Sequence, residues 1–169
     1  ETDYAINPEY GTLAEFDRLV AEAKARGIGI LMDFVPNHTS DQHAWFQAAL
    51  NDPNSPYRDF YYFRPGKNGG APNNWMSFFG GSAWTQDKKT GEYYLTSFTP
   101  GQCDLNWENP AVRQEMYKAM RFWMDRGIAG FRIDVAYNEE TDVLSFSPNG
   151  DYIRVDTDDT SDGEKKEEQ

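Results

Sequence analysis

The sequence lacks several features that would place a protein in a specialised class. It has one cysteine, Cys103, among 169 residues, which excludes an internal disulfide framework and a CxxC metal site. No apolar run approaches the roughly 18 residues of a membrane-spanning helix. The first residues contain neither the basic nor the apolar region of a secretory signal. We therefore expect no membrane partner and a cytoplasmic location.

Basic residues are also scarce. Sixteen Lys and Arg stand against 28 Asp and Glu, giving a formal net charge of −12. A nucleic-acid partner is not expected, because a phosphate backbone is bound through clustered cations. Aromatic residues, by contrast, make up 15% of the chain. A chain that can bury so many rings is not disordered throughout.

Two segments of the chain have the same order of features, which is a helix, Arg-Gly, an apolar run and an Asp. In the first, Thr12 and Glu15 form a capping box and Gly27 is a candidate helix end. The run IGILMDFV, residues 28–35, then predicts a strand buried on both faces.

The second segment begins with Asn109 as a helix cap and Pro110 at the first helical position. It ends in IAGFRIDV, residues 128–135, which predicts a second buried strand. Two such units indicate an α/β fold with a parallel sheet.

Each predicted strand carries an aspartate near its C-terminal end, Asp33 and Asp134. An aspartate there can cap the next turn, but ligands and catalytic groups also gather at that edge of parallel sheets, and two equivalent residues favour a site. Arg132 lies on the same strand face as Asp134, where it would hold the carboxylate ionised. We assign His38 to this site and a structural role to His43.

About seventy residues, 39–108, separate the first strand from the second helix. A connection in an α/β unit normally takes about 2–6 residues, so this segment is predicted to be an inserted subdomain. It leaves from the C-terminal end of the strand and is expected to overhang the site. Exposed Trp and Tyr rings beside carboxylates suit sugars, although most of these rings are expected to form the insertion's own core.

Three motifs resemble conserved regions of the α-amylase superfamily, glycoside hydrolase family 13, and occur in the family's order. They are DFVPNH (33–38), GQCDLN (101–106), which is similar to a QPDLN element, and GFRIDVA (130–136). The resemblance covers roughly residues 2–136 and is to the oligo-1,6-glucosidase and α-glucosidase group.

The resemblance implies a partial (β/α)8 TIM barrel around its third and fourth strands, with a B subdomain inserted after the third strand. The segments 1–38 and 109–136 would belong to the barrel, and 39–108 would be the B subdomain. The remaining residues, 137–169, hold eleven acidic and three basic residues. They are expected to form an acidic non-barrel tail that resembles the start of a C-terminal β-domain.

The resemblance also implies roles for individual residues. Asp134 matches the nucleophile of a retaining mechanism and Arg132 the arginine that positions it. Asp33 and His38 match residues around the glucosyl subsite at the cleavage point. Asn37 matches a position that binds Ca²⁺ in many amylases, though often not in this group. No other metal and no cofactor is expected.

One part of the expected chemistry is not evident. Retention needs a second carboxyl group roughly 5–5.5 Å from the nucleophile. Glu139 and Glu140 follow Asp134 too closely to lie on the next barrel strand. A whole barrel takes about 250 residues. We therefore expect this chain to be a fragment that is inactive by itself and, with unpaired strand edges, prone to aggregate.

The resemblance therefore implies a retaining α-glucosidase-type glycoside hydrolase that acts on α-glucosidic bonds of short oligosaccharides in carbohydrate metabolism. A glucosyl-transferring or isomerising relative is an alternative, because water and sugar compete for the same intermediate. A non-catalytic carbohydrate-binding remnant, or one like the heavy chains of amino-acid transporters, is another. The presence of Asp134, Arg132 and His38 favours an enzyme over the latter.

Overall fold

The computed structural model describes residues 3–133 together with the backbone of residues 143–146 and 153–156. The helices are α1 (Leu13–Ala25), α2 (Ala44–Asn51) and α3 (Pro110–Asp125), with a 3₁₀ turn at Arg58–Phe60. The strands are β1 (Leu31–Phe34), β2 (His38–Ser40), β3 (Phe63–Arg64), β4 (Trp84–Gln86), β5 (Tyr93–Leu95), β6 (Gln102–Asp104), β7 (Gly130–Ile133), β8 (Val143–Phe146) and β9 (Ile153–Asp156). Within this described part of the chain, no helix has the length and apolar character needed to cross a membrane.

Helix α1 begins and ends where its sequence predicts. The Glu15 amide donates to Thr12 Oγ1 at 3.2 Å, and the Thr12 amide donates to Glu15 Oε2 at 2.9 Å, which completes the capping box. Gly27 follows the C-cap residue with a φ of +73°, a conformation that glycine adopts without strain. Val20 and Ala23 form its buried face.

Helix α3 follows the same local rules. The Ala111 amide donates to Asn109 Oδ1 at 2.9 Å, and Pro110 occupies the first helical turn. Gly127 has a φ of +92° just beyond the helix end. The helix buries one apolar stripe, formed by Val112, Met116, Ala119 and Trp123.

Strands β1 and β7 pair in parallel, although almost one hundred residues separate them in sequence. Their register aligns Leu31 with Gly130 and Asp33 with Arg132. A helix precedes each strand, which confirms the mixed α/β arrangement predicted from the two repeated units. In residues 3–133 these two strands form a sheet of their own, so no barrel closes here.

The prediction that both strands are buried on both faces is wrong for the described residues. Leu31 is 60% exposed and Ile28 is 56% exposed. A strand of a closed barrel has a neighbour on each side, a helix layer outside and other strands' side chains inside. Here β1 and β7 have one strand neighbour each, so Leu31 faces solvent and Phe131 and Ile133 are only half-buried.

The two ends of the segment between β1 and α3 are hydrogen-bonded to each other. Strand β2 pairs antiparallel with β6, aligning His38 with Asp104 and Ser40 with Gln102. The Leu105 amide donates to Asn37 O at 2.9 Å, and Trp107 Nε1 donates to Pro36 O at 2.7 Å. We call these two stretches, residues 36–41 and 101–107, the neck.

Beyond the neck, the segment has its own sheet, in the order β3-β5-β4, and its own core. Phe46 on α2 is fully buried and contacts the rings of Tyr61, Phe63 and Tyr94. This agrees with the expectation that most rings of the insertion form its core.

Strands β8 and β9 pair antiparallel, with Val143 opposite Asp156. The other residues of the predicted acidic tail lie outside the described residues, as do Glu139 and Glu140.

Replacing Phe46 by Ala should lower the free energy of unfolding by about 3–5 kcal/mol, because it removes a fully buried ring and leaves a cavity. Urea denaturation followed by tryptophan fluorescence measures this change. The matched control is Phe79→Ala, since Phe79 is 75% exposed and its loss should change stability by no more than about 0.5 kcal/mol. Equal effects of the two substitutions would contradict this description of the core.

Candidate active site

The C-terminal ends of β1 and β7 bring together two of the predicted site residues. Asp33 and Arg132 are register partners on the two strands, so their side chains emerge on the same face. Arg132 Nη1 donates to Asp33 Oδ1 at 3.0 Å. Both side chains are about two-thirds exposed, at 66% for Asp33 and 65% for Arg132. The pair is accessible to a ligand at the sheet edge.

Asp134, the predicted nucleophile, is the residue after Ile133, the last residue of β7. It lies outside the described residues, and so does its predicted interaction with Arg132. The described partner of Arg132 is the other aspartate, Asp33.

His38 begins β2, four residues after the end of β1, and each of its ring nitrogens faces an amide. Nδ1 lies 3.2 Å from Asn37 Nδ2, and Nε2 lies 3.1 Å from Gln102 Nε2. A neutral imidazole donates at one nitrogen and accepts at the other, so one of the two amides presents its oxygen instead. The neck thus fixes the orientation of the His38 ring.

An aromatic pair lies on one side of His38. The Phe98 ring lies 5.4 Å from the His38 ring, and Phe78 stacks on Phe98 at 4.9 Å. The Phe78 amide donates to Ser97 O at 2.8 Å, which holds the two segments together. Phe78 is 65% exposed, so the rings form an apolar surface beside His38 that is open to a ligand.

Asp104, opposite His38 across the neck, is a buried carboxyl group. The Ser97 amide donates to Asp104 Oδ1 at 2.9 Å, and the Ser97 hydroxyl donates to Oδ2. Burial raises the pKa of Asp104 to about 6, and the two Ser97 hydrogen bonds oppose that rise. Asp104 thereby anchors Ser97, the residue that precedes Phe98.

Cys103 stands where the resembling QPDLN element has proline. Its side chain is fully buried and belongs to the core of the inserted segment. Burial raises the pKa of the Cys103 thiol, so the group stays protonated and acts as a small apolar side chain.

Asn37, the possible Ca²⁺ position, contacts its neighbours in the neck. Its side-chain amide faces His38, and its carbonyl accepts from the Leu105 amide. In residues 3–133, His, Cys, Asp and Glu side chains form no group of three or more that could hold a metal ion. A role of Asn37 in binding Ca²⁺ stays a prediction, because Ca²⁺ is also held by amide and backbone carbonyl oxygens.

His43 has the structural role that the sequence predicts. It is buried and caps α2, accepting at Nδ1 from the Trp45 amide at 3.1 Å.

Of the site residues, then, the structure joins Asp33 to Arg132 and His38 to Asn37. The structure adds two residues to the predicted site, Gln102 and Phe98, because both contact the His38 ring. Gln102 lies in the GQCDLN motif, whereas nothing in the sequence distinguishes Phe98 from other aromatic residues.

A comparison with protein families gives a match to "Alpha amylase, catalytic domain" over residues 2–164. Among curated proteins, the chain is 55% identical to an oligo-1,6-glucosidase of Halalkalibacterium halodurans over 134 residues, which cover 79% of the chain and 24% of that enzyme. It is 59% identical to a trehalose-6-phosphate hydrolase of Escherichia coli over 131 residues, covering 78% of the chain and 24% of that enzyme.

Among solved structures, a variant of the isomaltulose synthase of Erwinia rhapontici in complex with its natural substrate sucrose is 54% identical. It has a TM-score of 0.76 and is matched over 79% of this chain and 24% of its own. The chain thus spans about a quarter of the length of each of these relatives.

Replacing Asp104 by Asn should remove a pH dependence of stability between about pH 4 and 6. Asp104 ionises near 3.8 in the unfolded chain but only near 6 when folded, so the folded state holds its proton more tightly and loses stability as the pH rises through this window. The stability of D104N relative to wild type should therefore increase by up to about 3 kcal/mol from pH 4 to pH 7.

Urea denaturation of both proteins at intervals of half a pH unit measures this difference. The comparison cancels the other carboxyl groups, which the two proteins share. A difference that stays constant from pH 4 to pH 7 would contradict the raised pKa of Asp104.

Proposed function

Because this chain belongs to the α-amylase catalytic-domain family, we propose that it carries the nucleophile half of a retaining α-glucosidase-type active site. The substrate class is short oligosaccharides with α-glucosidic bonds. Since the chain spans 24% of the length of its relatives, activity as an enzyme is a property we assign to the polypeptide that contains this segment together with the remaining strands.

The observation that supports this proposal best is the Arg132–Asp33 pair at 3.0 Å across two parallel strands. A cation and a carboxylate held side by side at the C-terminal edge of such strands are suited to bind sugar hydroxyls and to orient a second carboxylate nearby. Asp134 follows Arg132 by two residues in the sequence. This spacing favours Arg132 as the residue that keeps Asp134 ionised.

In the proposed reaction, the Asp134 carboxylate attacks the anomeric carbon and the glycosidic oxygen leaves with a proton from an acid. Water then displaces Asp134 from the glucosyl-enzyme and restores the original configuration. The sequence contains no identified residue for the acid. Asp33 and His38 would bind the glucosyl unit, and the exposed Phe78 ring with the half-buried Phe98 ring would contact its apolar face.

The finer fold assignment is part of the same proposal. Strands β1 and β7 would be the third and fourth strands of a (β/α)8 barrel, and residues 39–108 would be the B subdomain inserted between them. The parallel β1–β7 pairing and the neck support this assignment, because an insertion after a barrel strand has to return to the same edge before the next helix.

A glucosyl-transferring or isomerising enzyme is a second candidate, favoured by the 54% identity to an isomaltulose synthase. Hydrolysis and isomerisation would share Asp134 and differ in which acceptor reaches the glucosyl-enzyme. Sucrose distinguishes the two, because hydrolysis yields glucose and fructose whereas isomerisation returns a disaccharide.

The nucleophile can be tested without the missing acid. A glucosyl donor with a fluoride leaving group, such as 5-fluoro-α-D-glucosyl fluoride, needs no proton on departure and forms a slowly hydrolysed glucosyl-enzyme. Incubation of this donor with the polypeptide that contains this segment together with the remaining strands should add one fluoroglucosyl group, detected by intact mass spectrometry. Trypsin cleaves after Arg132 and Arg154, so the label should lie in the peptide 133–154, on Asp134.

The Asp134→Asn variant should take up no label. The matched control is Asp125→Asn, which changes an exposed aspartate on α3 and should be labelled like the wild type. Labelling of Asp134→Asn, a label outside peptide 133–154, or no labelling of the wild type would each contradict the proposed role of Asp134 in this chain.

A further inference from the structure

A second concave site lies in the inserted segment, apart from the residues described above. It is a cavity of about 610 Å³ lined by side chains of the β3–β5–β4 sheet and its loops, and neither Asp33, His38 nor Arg132 contributes to it. Ligand pockets commonly have volumes of about 300–1,000 Å³. The cavity is therefore large enough for a small organic molecule.

One wall of the cavity is aromatic. The Trp75 and Trp84 rings stack at a centroid distance of 6.1 Å, and their planes differ by 17°. Trp84 is buried, whereas Trp75 is 57% exposed. Asn73 Oδ1 accepts from Trp84 Nε1 at 2.7 Å and from the Trp75 amide at 3.1 Å, which fixes both residues. The result is a fixed aromatic surface with one open face.

The rim of the cavity is polar and carries both signs of charge. Arg64 and Lys67 supply cations, and Glu108 supplies a carboxylate. In residues 3–133, no ion pair involves Lys67 or Glu108. Both groups can therefore exchange water for a ligand's hydroxyl groups.

The backbone around the rim is preorganised. Asn68 and Gly69 both have positive φ, at 53° and 78°, and the amides of Lys67 and Gly70 each donate to the other residue's carbonyl at 3.0 Å. This is the pattern of a tight type I′ hairpin turn. Pro65 and Pro72 lie on either side of the turn and also line the cavity. A site built in advance spends little free energy on ordering when it binds a ligand.

From this arrangement we propose that the cavity is a second carbohydrate-binding site, which takes a neutral pyranose-containing oligosaccharide of two or three units. A pyranose presents an apolar C–H face to an aromatic ring and hydroxyl groups at its edge, which matches Trp75 beside Arg64, Lys67 and Glu108. The proposal does not depend on the role of Asp134.

Titration of the chain with maltotriose, followed by calorimetry and by saturation-transfer NMR, tests this site. Trp75→Ala should weaken binding at least tenfold and Lys67→Ala a few-fold, whereas Tyr10→Ala should have no effect, since Tyr10 is 84% exposed and lies outside the cavity. Near-UV circular dichroism checks that the variants fold. If removal of the Trp75 ring also displaces the Trp84 ring stacked on it, Lys67→Ala still tests the cavity, because it leaves both rings in place.

A variant of the candidate active site, Asp33→Ala, separates the two sites because it should keep the maltotriose binding that Trp75→Ala weakens. The proposal is overturned if wild type does not bind maltotriose, if Trp75→Ala and Lys67→Ala both bind like wild type, or if Asp33→Ala alone abolishes binding. Tighter binding of glucose 6-phosphate than of maltotriose would also overturn it.

Discussion

The antiparallel pairing of β2 with β6 is the constraint on which the rest of the structure depends. It brings residues 36–41 and 101–107 together, so that the roughly sixty residues between them form a separate unit. The chain therefore enters α3 close to the point at which it left β1. Closing a loop of about sixty residues costs only about 2–3 kcal/mol more than closing one of about four, because each doubling of length adds about 0.6 kcal/mol. The neck therefore permits β1 to pair with β7.

The same neck links the fold to the candidate site. His38 is on one of its strands and Asp104 is opposite, with Gln102 reaching the His38 ring. Asp104 binds Ser97 through two hydrogen bonds, and the next residue, Phe98, contacts His38. A buried carboxyl group with a raised pKa is costly to keep, yet its hydrogen bonds to Ser97 position an aromatic ring beside the site.

How much the sequence predicts depends on the range of the interactions. The capping box of α1 and the Asn109-Pro110 start of α3 are predictable because each involves residues within one helical turn. The contact of His38 with Gln102 joins residues 64 apart, and no local pattern specifies it. Exposure of β1 is mispredicted for a related reason, since an apolar strand is buried only when other strands and helices cover it.

Exposure also bears on what the Arg132–Asp33 pair can do. Both groups are about two-thirds exposed, and an ion pair in that setting contributes only about 0–1 kcal/mol. The same geometry has a stronger electrostatic effect where water is excluded, because the effective dielectric constant falls. Strands that close over β1 and β7 would therefore do more than supply a missing acid. Under the proposed function, they would convert a weak solvated pair into one that fixes charges around a reacting sugar, and catalysis would then depend on a closed barrel even for residues that are already present.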